Sequence, residues 1–222
     1  MFRNLLLASS LAIVSTGAFA SLDVSWIDGL ENTGTGFDAG QTDTRYSFTA
    51  LAGTATGTDG YGVVTTGSGF PFGSWLANNW DSVWLTPSAN AAQSYDPSSA
   101  GLYKWSISFD LTGYDPAASA FSGRWASDNS GYVVFNGSTI STGSSFSSWT
   151  SFAASTGFVA GLNTIDFVVN NSAHRSGNPT GVRVEFLDSY TAVAAPVPEP
   201  ASYAMILAGL LVVGAVARRR LG

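Results

Sequence analysis

Apolar residues recur at every second position through much of the chain. Leu22, Val24 and Trp26 alternate with polar neighbours, as do Tyr46, Phe48 and Ala50. A period of two marks a strand with one face on a core and the other on solvent. The second half carries the pattern further, through Tyr103-Trp105-Ile107-Phe109, Phe121-Gly123-Trp125, Tyr132 to Phe135, Phe146-Trp149-Phe152, Ile165-Phe167-Val169 and Val182-Val184-Phe186. Turn residues punctuate these runs at Gly113-Tyr114-Asp115-Pro116, Asn136-Gly137 and Gly161-Leu162-Asn163. Asn-Gly supplies the positive φ of a tight hairpin, and Asn163 suits an Asx turn. Strands at spacings of about ten residues predict an all-β, antiparallel sandwich. Residues 53–74, loaded with Gly and Thr, predict one short strand at Tyr61-Gly62-Val63-Val64 between long loops. Trp105 and Trp125 sit in alternating strands and are assigned to the core.

The two ends break the pattern. Met1-Phe2-Arg3-Asn4, an apolar run from Leu5 to Ala18 and the exit Ala18-Phe19-Ala20 form the three parts of a secretory signal peptide, with cleavage expected between Ala20 and Ser21. At the other end, Pro198-Glu199-Pro200 precedes a charge-free run from Ala201 to Ala217 and the cluster Arg218-Arg219-Arg220. Such a run lies at the lower edge of what crosses a hydrocarbon core, and the arginines hold its far end on the cytoplasmic side. The organisation read from the chain is a signal peptide at 1–20, an ectodomain at 21–191, a linker at 192–197 and a tail at 198–222 with a transmembrane helix at 201–217.

This three-part tail resembles the PEP-CTERM sorting signal of bacteria that make extracellular polysaccharide. The resemblance rests on Pro198, Glu199, Pro200 and the basic end Arg218, Arg219 and Arg220. It implies recognition by an exosortase-type membrane protease, transient residence in the inner membrane, and delivery to the cell surface or extracellular matrix. A second resemblance covers roughly 102–187. Ser122-Gly123-Arg124-Trp125-Ala126-Ser127-Asp128-Asn129, then Val133-Val134-Phe135-Asn136-Gly137, then Gly161 to Val169, are similar to the galactose-binding-like jelly rolls. It implies a jelly-roll sandwich flanked by the signal helix and the tail helix; residues 21–100 either complete that sandwich or elaborate it.

Composition narrows the chemistry. Charged residues make up 11% of the chain, against about 25% in ordinary globular proteins, so its polar surface is mostly Ser, Thr and Asn. With no Cys there is no disulfide, thiolate metal site or Cys nucleophile, and a single His excludes a multi-histidine metal centre. Between Ser21 and Val197, five cations stand against fourteen acids, a formal charge near −9. Nucleic acid requires clustered Lys and Arg and is not an expected partner. The carboxylate surplus suits calcium, a hard cation, although no EF-hand-like loop is present and no cofactor is assigned.

No catalytic residue is assigned either. A serine triad would depend on His174, which lies in a polar loop with no nucleophile elbow nearby. A glycosidase needs two carboxylates across one sugar; Glu185 alternates outward, and Asp pairs such as Asp110 and Asp128 are indistinguishable from turn residues. Sugars are bound by aromatic faces beside amides and carboxylates. Trp75, Trp80 and Trp84, in a segment without clean alternation, are the candidate platform, with Asp128 and Asn129 as candidate polar contacts or loop caps. The expected function is a non-enzymatic surface or matrix protein associated with exopolysaccharide. The alternatives are a dedicated carbohydrate-binding module and, more remotely, a secreted hydrolase.

Overall fold

A computed structural model describes residues 24–56, 60–194 and 200–221, with side chains of the last segment described from 205 to 220. The expected signal peptide, the junction Ala20-Ser21, Pro198 and Glu199 lie outside the described residues.

Among the described residues there are eleven strands and one helix. The strands are β1 (Val24–Ser25), β2 (Thr42–Ala52), β3 (Tyr61–Val64), β4 (Leu85–Thr86), β5 (Gly101–Asp110), β6 (Tyr114–Asp128), β7 (Ser130–Phe135), β8 (Ser138–Thr142), β9 (Thr150–Ala154), β10 (Leu162–Asn171) and β11 (Gly181–Val193); the helix is α1 (Pro200–Leu221). All the strand pairings are antiparallel, in the order β8-β7-β10-β5-β2-β3-β4-β11-β6-β9, with β1 added to β11. This path folds into two packed layers, β8-β7-β10-β5-β2 and β4-β11-β6-β9, with β3 bridging them along one side. From β5 onward the chain passes back and forth between layers, β5 to β6, β6 to β7, β8 to β9, β9 to β10 and β10 to β11, which is jelly-roll connectivity. The expected sandwich is therefore the observed fold, and residues 24–100 complete it: β2 pairs with the central β5, while β4 and β1 pair with β11.

The core is strongly aromatic. Tyr46, Phe48, Tyr103, Trp105, Phe109, Phe121, Trp125, Phe135, Phe152 and Phe167 face inward from both layers, and the expected core residues Trp105 and Trp125 are fully buried. Edge-to-face pairs such as Phe121–Phe135, with ring centroids 5.1 Å apart, let large rings interlock. Gly123 sits where a side chain cannot: a Cβ there would fall 2.6 Å from the Glu185 carbonyl and against the Phe152 ring. The Asn136-Gly137 turn joins β7 to β8 with φ of 44° and 83°, as the hairpin reading requires.

Four expectations change. Asn163 does not bond forward in an Asx turn; it is buried and reaches back, donating to the Val159 and Gly161 carbonyls and accepting from Val159 N. Phe146 and Trp149 do not share a strand with Phe152, because only Thr150–Ala154 pairs with β6 while the two aromatics pack in a separate cluster. The sandwich runs past residue 191, since β11 continues to Val193 and Ala192 is buried. The C-terminal helix is present with Arg218, Arg219 and Arg220 in its last turn. Among the described residues, however, no helix is long and apolar enough to cross a membrane. The span read over 201–217 includes 201–204, whose side chains are not described, and the described stretch ends in three arginines.

Candidate functional site

The outward-facing stripe of β6 runs Asp128, Ala126, Arg124, Ser122, Ala120, and β11 sets Arg183, Glu185, Asp188 and Tyr190 beside it. On the half nearest Asp128, two loops lie over this stripe. Trp75, Trp84 and Ala126 form a second small core, with Phe72, Leu76, Phe146 and Trp149 packed against it. The indoles of Trp75 and Trp84 are 4.2 Å apart, and Trp84 donates its N–H to the Leu76 carbonyl at 2.8 Å.

The roof is held by charge. Arg183 and Glu185 are each about 2% exposed. Glu185 accepts from Ser82 Oγ at 2.7 Å and from Arg124 Nε at 2.6 Å, while Arg183 donates to Ser82 Oγ at 2.6 Å, to Asn79 Oδ1 at 2.8 Å and to the Ala77 carbonyl. Both guanidinium groups stack on Trp149, 4.6 and 4.8 Å from its ring centre. Burial pulls the Arg183 pKa below its ordinary value, against the opposing pull of Glu185. Glu185 thus points outward as expected but is sealed under the loop, so it is unavailable to a substrate.

At the end of this roofed half lies a cleft of about 160 Å³, lined by Phe70, Pro71, Trp75, Asp128, Asn129, Phe146, Asn178 and Pro179 among others. Asp128 Oδ2 accepts from Trp75 Nε1 at 2.8 Å, and its Oδ1 accepts from Asn129 Nδ2 at 2.5 Å. Burial raises its pKa to about 6 despite those two donors, so this carboxyl changes between proton donor and acceptor near neutral pH. Asn129 ties two loops together: its Oδ1 accepts from Ser172 N and from Asn178 Nδ2, both at 2.7 Å. Phe70 lines the cleft with 65% of its surface exposed.

The sequence candidates therefore separate. Trp75, Asp128 and Asn129 come together in one cleft. Trp84 is completely buried beneath Trp75 and cannot meet a ligand, and Trp80, 90% exposed on the roof loop, does not line the cleft. Phe70, Phe146 and Asn178 belong to the site and went unrecognised. Phe70 sits beside Pro71 in the Gly-rich stretch, a place where a solvent-facing ring is a signal of contact.

The structure sets apart the carboxylates and the histidine considered for catalysis. Asp110 caps its own turn through Thr112 at 2.8 Å and lies at the far end of β5, opposite Leu162, whereas Asp128 lies near the Gly101–Asn171 end. Some ten residues of strand, about 30 Å, separate them, too far to share one sugar. His174 is exposed, with Nδ1 2.8 Å from Ser176 Oγ in the same turn. Among the described residues no group of three or more His, Cys, Asp or Glu side chains is placed to hold a metal ion.

With this geometry in view, the PEP-CTERM protein-sorting motif matches residues 196–220. The chain therefore carries the signal of a protein exported and processed at the membrane. No curated protein matches it. Several solved structures overlap its sandwich loosely. One is Xyl-CBM35 in complex with a disaccharide containing glucuronic acid, at 16% identity over 70% of this chain and 98% of that one, with a TM-score of 0.28. A second is the CBM36-1 domain of a multidomain xylanase from the hindgut metagenome of Trinervitermes trinervoides, at 17% identity over 68% and 99%, with a TM-score of 0.26. A third is CBM35 from Cellvibrio japonicus Abf62, at 13% identity over 71% and 94%, with a TM-score of 0.27.

Proposed function

We propose that this is a non-enzymatic surface or matrix protein, delivered through its C-terminal signal by an exosortase-type protease, whose sandwich holds short sugars or glycan chain ends in the Asp128 cleft. The observation that carries the reading is the buried Asp128 carboxyl, bonded to Trp75 in a cleft that the exposed ring of Phe70 also lines. The ring offers an apolar face to sugar C–H groups, and Asp128 and the Asn178 amide offer polar partners to hydroxyls. At 160 Å³ the cleft falls below the roughly 300–1,000 Å³ of drug-sized ligand pockets, which suits one ring and not a chain.

The test is an oligosaccharide array probed with the full chain and with Phe70→Ala. Removing the ring is expected to weaken binding about tenfold, some 1.4 kcal/mol. An array on which the parent binds nothing, or on which the two chains behave alike, removes the cleft from the account. Delivery is tested separately by intact mass in cell fractions. A species beginning at Ser21 and ending near Pro198-Glu199-Pro200 in the surface or medium fraction is the expected form; one retaining Arg218–Arg220 and confined to the membrane contradicts tail removal.

A further inference from the structure

The unroofed half of the same sheet face carries a second concavity. A hollow of about 280 Å³ lies over β6 and β9, floored by small residues that include Ala120, Ser122 and Ala153. Another of about 230 Å³ lies between β1 and β11 and is lined by Val24 and Trp26. Asp188 and Tyr190 line both, so the two hollows meet at this pair. Because the strands are ordered β9-β6-β11-β1, the combined groove crosses them. Two rings stand along it in solvent, Trp26 at 66% and Tyr190 at 45% exposure.

We propose that this groove binds a neutral polysaccharide laid across the strands, a second contact that rests on the glycan reading of the protein and extends it from chain ends to chains. The shape favours a polymer, since a trough passing over four strands accommodates consecutive residues where the cleft admits one. Trp26 and Tyr190 supply the faces on which sugar rings pack, and Ser25, Ser122 and Ser155 supply hydroxyl partners along the path. The electrostatics select the ligand. Among the described residues the only charged side chain lining the groove is Asp188, and the exported part carries a formal charge near −9, so polyuronates are repelled. An apolar protein partner or a bilayer pressed onto the patch would strip water from Asp188 without providing a cation; a glycan pairs the carboxylate with hydroxyls instead.

The experiment is affinity electrophoresis of the full chain in gels containing dextran, galactomannan or alginate. Its variants are Trp26→Ala, Ala153→Arg, which fills the floor, and Phe70→Ala at the cleft. Trp26 and Ala153 are both exposed, so these changes leave the core intact. Retardation by a neutral polymer is expected to fall about tenfold in each groove variant and to persist in Phe70→Ala, with no retardation by alginate. If both groove variants run like the parent while Phe70→Ala loses retardation, the groove proposal fails and the cleft reading stands. If the parent is retarded by no polymer, the groove proposal fails, while the oligosaccharide array still decides the cleft.

Discussion

The outer face of β6 and β11 is one surface with two fates. Over its upper half, Arg183, Glu185, Arg124 and Ala126 lie beneath Trp75, Trp84, Trp149 and the loop carrying Asn79 and Ser82. Over its lower half, Ser122, Asp188 and Tyr190 stand open. Both halves carry outward residues of the same two strands, and both include a carboxylate. What separates them is a loop, and the loop stays because buried charges give it partners: Ser82, Asn79 and the Ala77 carbonyl are all held by the Arg183–Glu185 pair. A bulge between Phe186 and Asp188 sharpens the division, since it leaves Leu187 and Asp188 both exposed where strict alternation would turn one inward.

The largest effect should come from breaking the roof. Glu185→Ala strands the buried Arg183 guanidinium without its carboxylate and is expected to cost about 3–5 kcal/mol, read as a lower urea midpoint. A loss below about 1 kcal/mol would show that the roof is held by the tryptophans alone.

A smaller effect tests the cleft by pH. Asp128 has its pKa raised by burial to about 6, above its value of about 3.9 in an unfolded chain. The unfolded state then binds fewer protons between these values, so stability contributed by Asp128 is full below pH 4 and is lost as pH rises to 6. The difference amounts to about 2–3 kcal/mol. Denaturation curves of the parent and Asp128→Asn at pH 4 and pH 7 should therefore diverge, with only the parent showing this loss; parallel pH dependences would mean that Asp128 is ionised throughout.

The smallest effect is expected at Trp80. Standing 90% exposed on the roof loop, it should be replaceable by Ala with a stability change within about 0.5 kcal/mol and unaltered retardation by dextran or galactomannan. A marked loss of retardation would extend the glycan surface onto the roof and blur the contrast between the two halves.

Much of this architecture was written in local patterns. Alternation is a property of neighbouring residues, so β5, β6, β10 and the inward half of β11 are legible from Tyr103, Trp125, Phe167 and Val184 without knowledge of their partners. The two-residue strand β4 contains no period to read; it exists because Leu85 meets Val182 and Val64 from distant parts of the chain. The site divides in the same way. Trp75, Asp128 and Asn129 could be chosen by residue type, but nothing local separates Trp75 from Trp84 or Trp80, because exposure depends on which loop folds over which sheet.

By itself the sequence determined the periodic strands, the tight Asn136-Gly137 hairpin and the sorting motif, all of which act over a few adjacent residues. Only the tertiary structure decided that Glu185 is sealed while Asp188 is open, and that Phe70 joins Asp128 across a cleft. Those outcomes depend on contacts between segments up to about a hundred residues apart, such as Ser82 with Glu185, where a buried charge is tolerable only once its partner has arrived.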